Sequence, residues 1–164
     1  MSTEMNKKEM YDLYRQVSLR TDEEYLFAVM YERYFGQKKD YGNGILINMV
    51  EVHTLTMIAD QPGITVNELA KQWKRTKGAV SQNVTKLDRK WLIRRERSDK
   101  DSRNVHLYVT EKGQELSDLH KRYDVVEDLK FQKELIEFCS EEELTTFYKV
   151  LGIFNRKFIE DMGY

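Results

Sequence analysis

Apolar residues recur three and four positions apart along most of the chain, the spacing of helices that bury one face. Residues from Glu4 to Val17 and from Glu23 to Phe35 both follow it, and "TDEE" at Thr21–Glu24 has the pattern of a capping box that restarts the second helix. The turn formers of "GQKKDYGNG", Gly36–Gly44, then break the pattern. A strongly apolar helix is expected from Ile45 to Ala59, stopped by "DQPG" with the only proline of the chain. Thr65 caps the next helix, Val66 to Trp73, through the box "TVNE", and a few residues later Thr76 caps another. Two short amphipathic helices this close have helix-turn-helix spacing.

On the helix begun by Thr76, Val80, Val84, Leu87 and, one turn on, Trp91 project onto one stripe. The stripe predicts a buried face, with the Trp91 indole closing the gap between this helix and the wing and truncation to alanine costing about 3–5 kcal/mol. The opposite face holds Gly78, Ala79, Gln82, Thr85, Lys86 and Arg89, with Ser81 at its edge. It is small at its first turn and rich in donors and positive charge beyond. A glycine costs a helix interior about 1 kcal/mol relative to alanine, so Gly78 beside Ala79 suggests close approach to a partner. The free N–H groups at this helix start, beside Lys77, attract phosphate.

The period then changes from helical to alternating. "LIRRERSDKDSRNVHLYVT" has Leu92 and Ile93, the turn formers "SDKDS", and Val105, Leu107 and Val109 alternating with polar residues, as a hairpin requires. Thr110 caps a long helix, Glu111 to about Phe138, on a stripe of Leu116, Leu119, Tyr123 and Val126. "SEEE" at Ser140–Glu143 caps a last one carrying Leu144, Phe147, Leu151, Phe154 and Phe158. The fold class is therefore mainly α with a small β-hairpin wing: a winged helix-turn-helix over residues 45–110, flanked by N-terminal helices (1–44) and C-terminal helices (111–164). The flanking helices have little of their own domain to pack on. A second copy of the chain would cover them.

Net charge is −1, which taken globally argues against a polyanion binder. Its distribution reverses that. Lys71 to His106 contains twelve Lys and Arg against four Asp and Glu, a local +8 that leaves −9 elsewhere. At 164 residues, with few glycines and no apolar run near the ~20 residues of a membrane span, the chain is expected to be a cytoplasmic globular protein. The single Cys139 cannot form an internal disulfide. Neither a nucleophile with a partnered base, nor a phosphate loop, nor a metal triad is legible, so an enzyme is not expected, and no cofactor.

From Leu55 to Leu116 the order of elements resembles the MarR family of bacterial regulators: "pGIT..ELA", then "VS...KL", "LI.R", a wing with Asp101 and Arg103 in "D-x-R", and "VTEKG". The resemblance implies a homodimer on double-stranded DNA with a pseudo-palindromic operator, usually a repressor relieved by a small ligand, an oxidant or a metal. Gln82, Ser81, Thr85 and Ala79 become candidates for base edges and Lys86 for the groove. Arg103, steadied by Asp101, resembles the family's minor-groove arginine. Arg75, Lys77, Arg94, Arg97 and Lys100 are expected to hold phosphates. Where the family usually has glycine after the recognition helix, this chain has Trp91. In the family the helix of His53 borders an effector cavity, so Tyr31, Tyr34 and His53 are candidate pocket residues. No two of His53, His106 and His120 have the i, i+4 spacing of a helical metal site, and no metal site is expected; the histidines are expected to be satisfied or exposed. A metal-responsive repressor and a winged-helix protein-interaction module are the alternative functions.

Overall fold

The computed structural model describes residues 6–98 and 101–163, and of Ser98 and residues 101–104 the backbone alone. Helix α1 (Lys7–Gly36) is one unit, and the chain beyond Lys38 forms a second. After α1 come β1 (Lys38–Asp40), which begins at the boundary, and then, in the second unit, β2 (Leu46–Asn48), α2 (Met49–Asp60), α3 (Val66–Gln72), α4 (Lys77–Arg89), β3 (Ile93–Ser98), β4 (Asp101–Val109), α5 (Glu111–Leu135) and α6 (Glu141–Asp161).

Helix α1 runs unbroken through Thr21, where a restart was expected. Its cap is Asn6, whose side chain accepts from Lys8 and Glu9 N–H while Glu9 reaches back to the Asn6 N–H. Thr21 instead donates its hydroxyl to the Val17 carbonyl one turn back, a bond that lets threonine stay inside a helix. The second difference lies at residues 45–48. The apolar run there begins as strand β2, and α2 starts only after Asn48, whose side chain caps the Glu51 N–H. The remaining caps fall where the sequence puts them: Thr65 with Glu68, Thr76, Thr110, and Ser140 with Glu143.

The core of the second unit gathers around α2. Val52, Leu55 and Ile58 of α2 are fully buried with Leu69 of α3, Val84 and Leu87 of α4, Leu92, Leu107 of β4 and Leu116 of α5. The wing strands pair antiparallel from Ile93↔Val109 to Arg97↔Val105, with an irregularity after Arg97. Strand β4 is also tied to the loop before α3: Gly63 N–H donates to the Leu107 carbonyl, Leu107 N–H to the Ile64 carbonyl, and His106 Nδ1 bonds the Gly63 carbonyl at 2.8 Å. Wing and helix-turn-helix are thus one hydrogen-bonded body, and His106 is satisfied as expected.

Trp91 departs from its predicted place. Helix α4 ends with the Leu92 N–H on the Leu87 carbonyl and the Trp91 N–H on the Asp88 carbonyl, leaving Trp91 with φ +59° and its side chain 79 % exposed. This is the left-handed helix terminus that glycine normally occupies. The helical projection fails because one left-handed residue turns the side chain off the stripe. Burial of the indole, and the 3–5 kcal/mol assigned to it, are overturned. Trp91→Gly is now expected to raise the melting midpoint by a few degrees, about 1 kcal/mol, since relief of the left-handed strain outweighs the added freedom of the unfolded chain. A lower midpoint would show that the indole contributes packing after all.

Among the described residues no helix is long and apolar enough to cross a membrane. Neither α1 nor α6 buries a residue, and the stripe of α6 leaves Phe147, Phe154 and Phe158 about half exposed. Val126, expected on the buried stripe of α5, is 62 % exposed because the core ends near Tyr123.

Candidate nucleic-acid interface

Helix α4 is held by its inner face, Val80, Asn83, Val84 and Leu87, so its outer face is set by elimination. Ser81, Gln82, Thr85, Lys86 and Arg89 line one open groove on that face. Gly78 is exposed, and a Cβ there would meet nothing within 4 Å, so no internal contact demands glycine. Ala79 takes the cap of the helix, its N–H donating to the Thr76 hydroxyl at 3.3 Å. Lys77 and Arg75 flank this start, both exposed, with the Arg75 guanidinium 5.6 Å from the Trp73 ring.

Several expected contact residues already have partners. The Thr85 hydroxyl donates to the Ser81 carbonyl at 2.8 Å and accepts from Arg95 Nη2 at 3.2 Å, so it has little left for a base. Arg95 also pairs with Asp88 at 2.9 Å, locking strand β3 to α4. Arg94 bonds Glu96 and the Val109 carbonyl and lies 4.9 Å from the Tyr108 ring, which gives it a structural task besides any phosphate. Lys86 stands 3.5 Å from Glu51 of α2, and Lys90 only 2.6 Å from the same carboxylate. Glu51 is 3 % exposed. Its role could not be read from spacing, because Glu51 and Lys90 are 39 positions apart. A buried carboxylate that grips the last turn of α4 fixes the rotation of the helix about its axis. Gln82 and Arg89 remain exposed on that groove, and Arg97 is exposed on β3. Asp101 and Arg103 lie on β4, where only the backbone is described, and Lys100 lies outside the described residues.

The candidate pocket residues are divided between the two units. Tyr31 and Tyr34 lie on α1, where each packs against Phe35, with ring centroids 4.0 and 5.2 Å away. His53 lies on α2, and its neighbours include His120 and Asp124 of α5 and the Trp73 ring. Burial pushes His120 down to about 4, helped by His53, and burial also lowers His53. Burial raises the carboxyl of Asp124. His120 is not the satisfied core histidine expected: it is 1 % exposed, and its Nδ1 has no hydrogen-bond partner.

Comparisons with known proteins agree with this architecture. Residues 47–104 match the sequence profile of the MarR family. The HTH-type transcriptional regulator YhjH of Bacillus subtilis is 25 % identical over 146 residues, 88 % of this chain and 83 % of that protein. Among solved structures, Streptococcus pneumoniae FabT in complex with DNA superposes with a TM-score of 0.59 at 28 % identity, over 91 % of this chain and 99 % of that one. The S. aureus MepR–DNA complex gives 0.57 at 25 % identity, over 89 % and 95 %. That family is one of DNA-binding regulators and not of enzymes, and α2 to α4 with the β3–β4 hairpin have the architecture of its winged helix. On sequence pattern, fold and these likenesses together, residues 47–104 are similar to the winged helix-turn-helix of the MarR family, and the chain as a whole resembles the transcriptional regulators of that family.

Proposed function

We propose that the protein is a homodimeric, cytoplasmic, ligand-responsive repressor that binds a pseudo-palindromic operator, with residues 45–110 on DNA and residues 1–44 and 111–164 forming the dimer. The observation that carries this reading is the outer face of α4. It lies between an exposed Lys77 at the helix start and the basic strand β3, and its groove is lined by Ser81, Gln82, Thr85, Lys86 and Arg89. Half-exposed aromatics along α1 and α6 support the dimer, since a lone chain would leave Tyr14, Tyr25, Phe27, Phe147 and Phe158 in water. Gln82 reads a base edge, with Ala79 beside it for a thymine methyl. Arg75, Lys77, Arg89 and Arg97 hold phosphates, and Arg103 enters the minor groove beside Asp101. Tyr31, Tyr34 and His53 are the effector-side residues of this reading.

Selection of DNA from a random pool by the purified protein is the test. Two related half-sites about 10 base pairs apart are expected, and five extra base pairs between them should abolish tight binding by rotating one half-site to the far side of the duplex. On the selected operator, Gln82→Ala is expected to relax preference at one base pair per half-site, costing about 1–3 kcal/mol. Lys77→Ala should weaken all sequences alike and make the salt dependence shallower by about one ion per contact. Unchanged relative affinities in Gln82→Ala would mean that another face of α4 reads the bases. Selection of no DNA would favour the protein-interaction module instead.

A further inference from the structure

Away from the DNA surface, α2 and α5 bring three potential metal ligands together. His120 and Asp124 sit four residues apart on α5, one above the other, and His53 faces them from α2. His120 Nδ1 is 3.2 Å from Asp124 Oδ1 yet forms no aligned hydrogen bond with it, and His53 Nε2 is 3.9 Å from Asp124 Oδ2. The two imidazole rings are 4.8 Å apart, edge to face, and one ligand atom from each of the three residues lies within 4.8 Å of the others. Among the described residues this is the one group of three or more such ligands. Around it stand the Tyr41 ring, 5.0 Å from His120, and the Trp73 ring, 6.1 Å from His53.

His120 Nδ1 is the observation that asks for a ligand. A buried ring nitrogen without a partner is costly, and native structures rarely leave one so. Here the unpartnered atom points into a cluster that already contains a carboxylate and a second imidazole. We propose that His53, His120 and Asp124 form a zinc site, with two nitrogens and one oxygen as ligands and water in the fourth position. Two imidazoles with a carboxylate are a zinc donor set, whereas calcium and magnesium take oxygen alone. Tetrahedral bonds of 2.0–2.1 Å separate neighbouring ligands by about 3.4 Å. The His120–Asp124 pair already has that spacing. The His53–Asp124 gap must shrink by about half an ångström and the widest separation among the three ligand atoms, 4.8 Å, by more, which rotation of the partly exposed His53 and Asp124 side chains supplies.

The site rests on the packing of α2 against α5 and not on the DNA reading, so zinc binding is measured without DNA. The metal-free full-length protein competes for Zn2+ with a chromophoric chelator of micromolar affinity, and Co2+ in place of zinc reports coordination by its visible absorption. One zinc per chain and a tetrahedral cobalt spectrum are expected, with a zinc-dependent rise of several degrees in the melting midpoint. Asp124→Asn and His53→Gln should each weaken zinc binding at least tenfold and lose the cobalt spectrum, while the metal-free midpoint stays within about 2 °C of the parent's. Both residues are partly exposed, so these two variants carry the test even if changes at buried His120 unfold the chain. No withdrawal of zinc from the chelator by the parent, or equal binding by parent and both variants, would overturn the site.

Discussion

Gly113→Ala is expected to destabilise the protein by at least about 3 kcal/mol, a fall of roughly 6–12 °C in melting midpoint for a chain of this size. A Cβ at Gly113 would sit 1.9 Å from the Leu92 carbonyl oxygen and 2.9 Å from its carbon, with Leu55 Cδ1 at 3.3 Å. Neither backbone nor a core leucine can move away cheaply. The carbonyl is held by the Thr110 N–H at 3.0 Å, and the Thr110 hydroxyl both donates to the Trp91 carbonyl and caps the Gly113 N–H. The first turn of α5 is therefore seated directly on the exit from α4, and only a residue without a side chain fits between. Alanine would add about 1 kcal/mol of helix propensity, too little to offset the clash. Gly78→Ala is the control. Nothing lies within 4 Å of a Cβ there, so the same substitution should stabilise by up to about 1 kcal/mol, and only DNA binding should suffer. Parallel thermal melts decide the matter: similar midpoints for the two variants would mean that α5 can slide off Leu92.

Lys90→Met is expected to cost about 2–3 kcal/mol, against less than about 1 kcal/mol for Lys86→Met. Both lysines face the carboxylate of Glu51, but they are unequal partners. Lys90 is 28 % exposed, lies 2.6 Å from the carboxylate and also donates to the Leu46 carbonyl. Lys86 is 51 % exposed at 3.5 Å, where water screens the pair. Removing Lys90 leaves a buried negative charge with one distant partner, and the loss falls short of a full buried-pair deletion because Lys86 can swing inward. That swing has a second consequence. It would take Lys86 from the groove beside Gln82, so Lys90→Met should also weaken binding to the operator of the proposed repressor. Denaturant titrations of the two variants measure the difference in stability, and equal losses would show that Glu51 draws on both lysines alike.

The helix-turn-helix was legible because its signals are local. Thr65, Thr76, Thr110 and Ser140 each cap within three residues, and a change of period from helical to alternating marks the wing. Local signals also misled. "TDEE" satisfies a capping box, yet Thr21 turns its hydroxyl to Val17, since a continuous helix offers it an acceptor one turn back. Leu46 to Asn48 share the helical spacing of residues 49–59, but they pair as a strand, and Asn48 is the better cap.

By itself the sequence determined the class of fold, the order of its elements from α3 onward, the buried face of α4 and hence the set of side chains on its outer face. Each follows from periodicity, capping and charge density within a window of about twenty residues. Tertiary structure alone decided what those side chains are free to do. Thr85 is consumed by Arg95, Lys86 and Lys90 are drawn to Glu51, and His53 meets His120 and Asp124, pairs separated by 10 to 71 positions in the chain. It also decided the fate of Trp91, which one left-handed residue turned from a core position into an exposed one. Spacing reports which face of an element a residue occupies. Its partners depend on how the elements cross, and that angle is set by the packing of Leu55, Leu87, Leu92, Leu107 and Leu116 into one core.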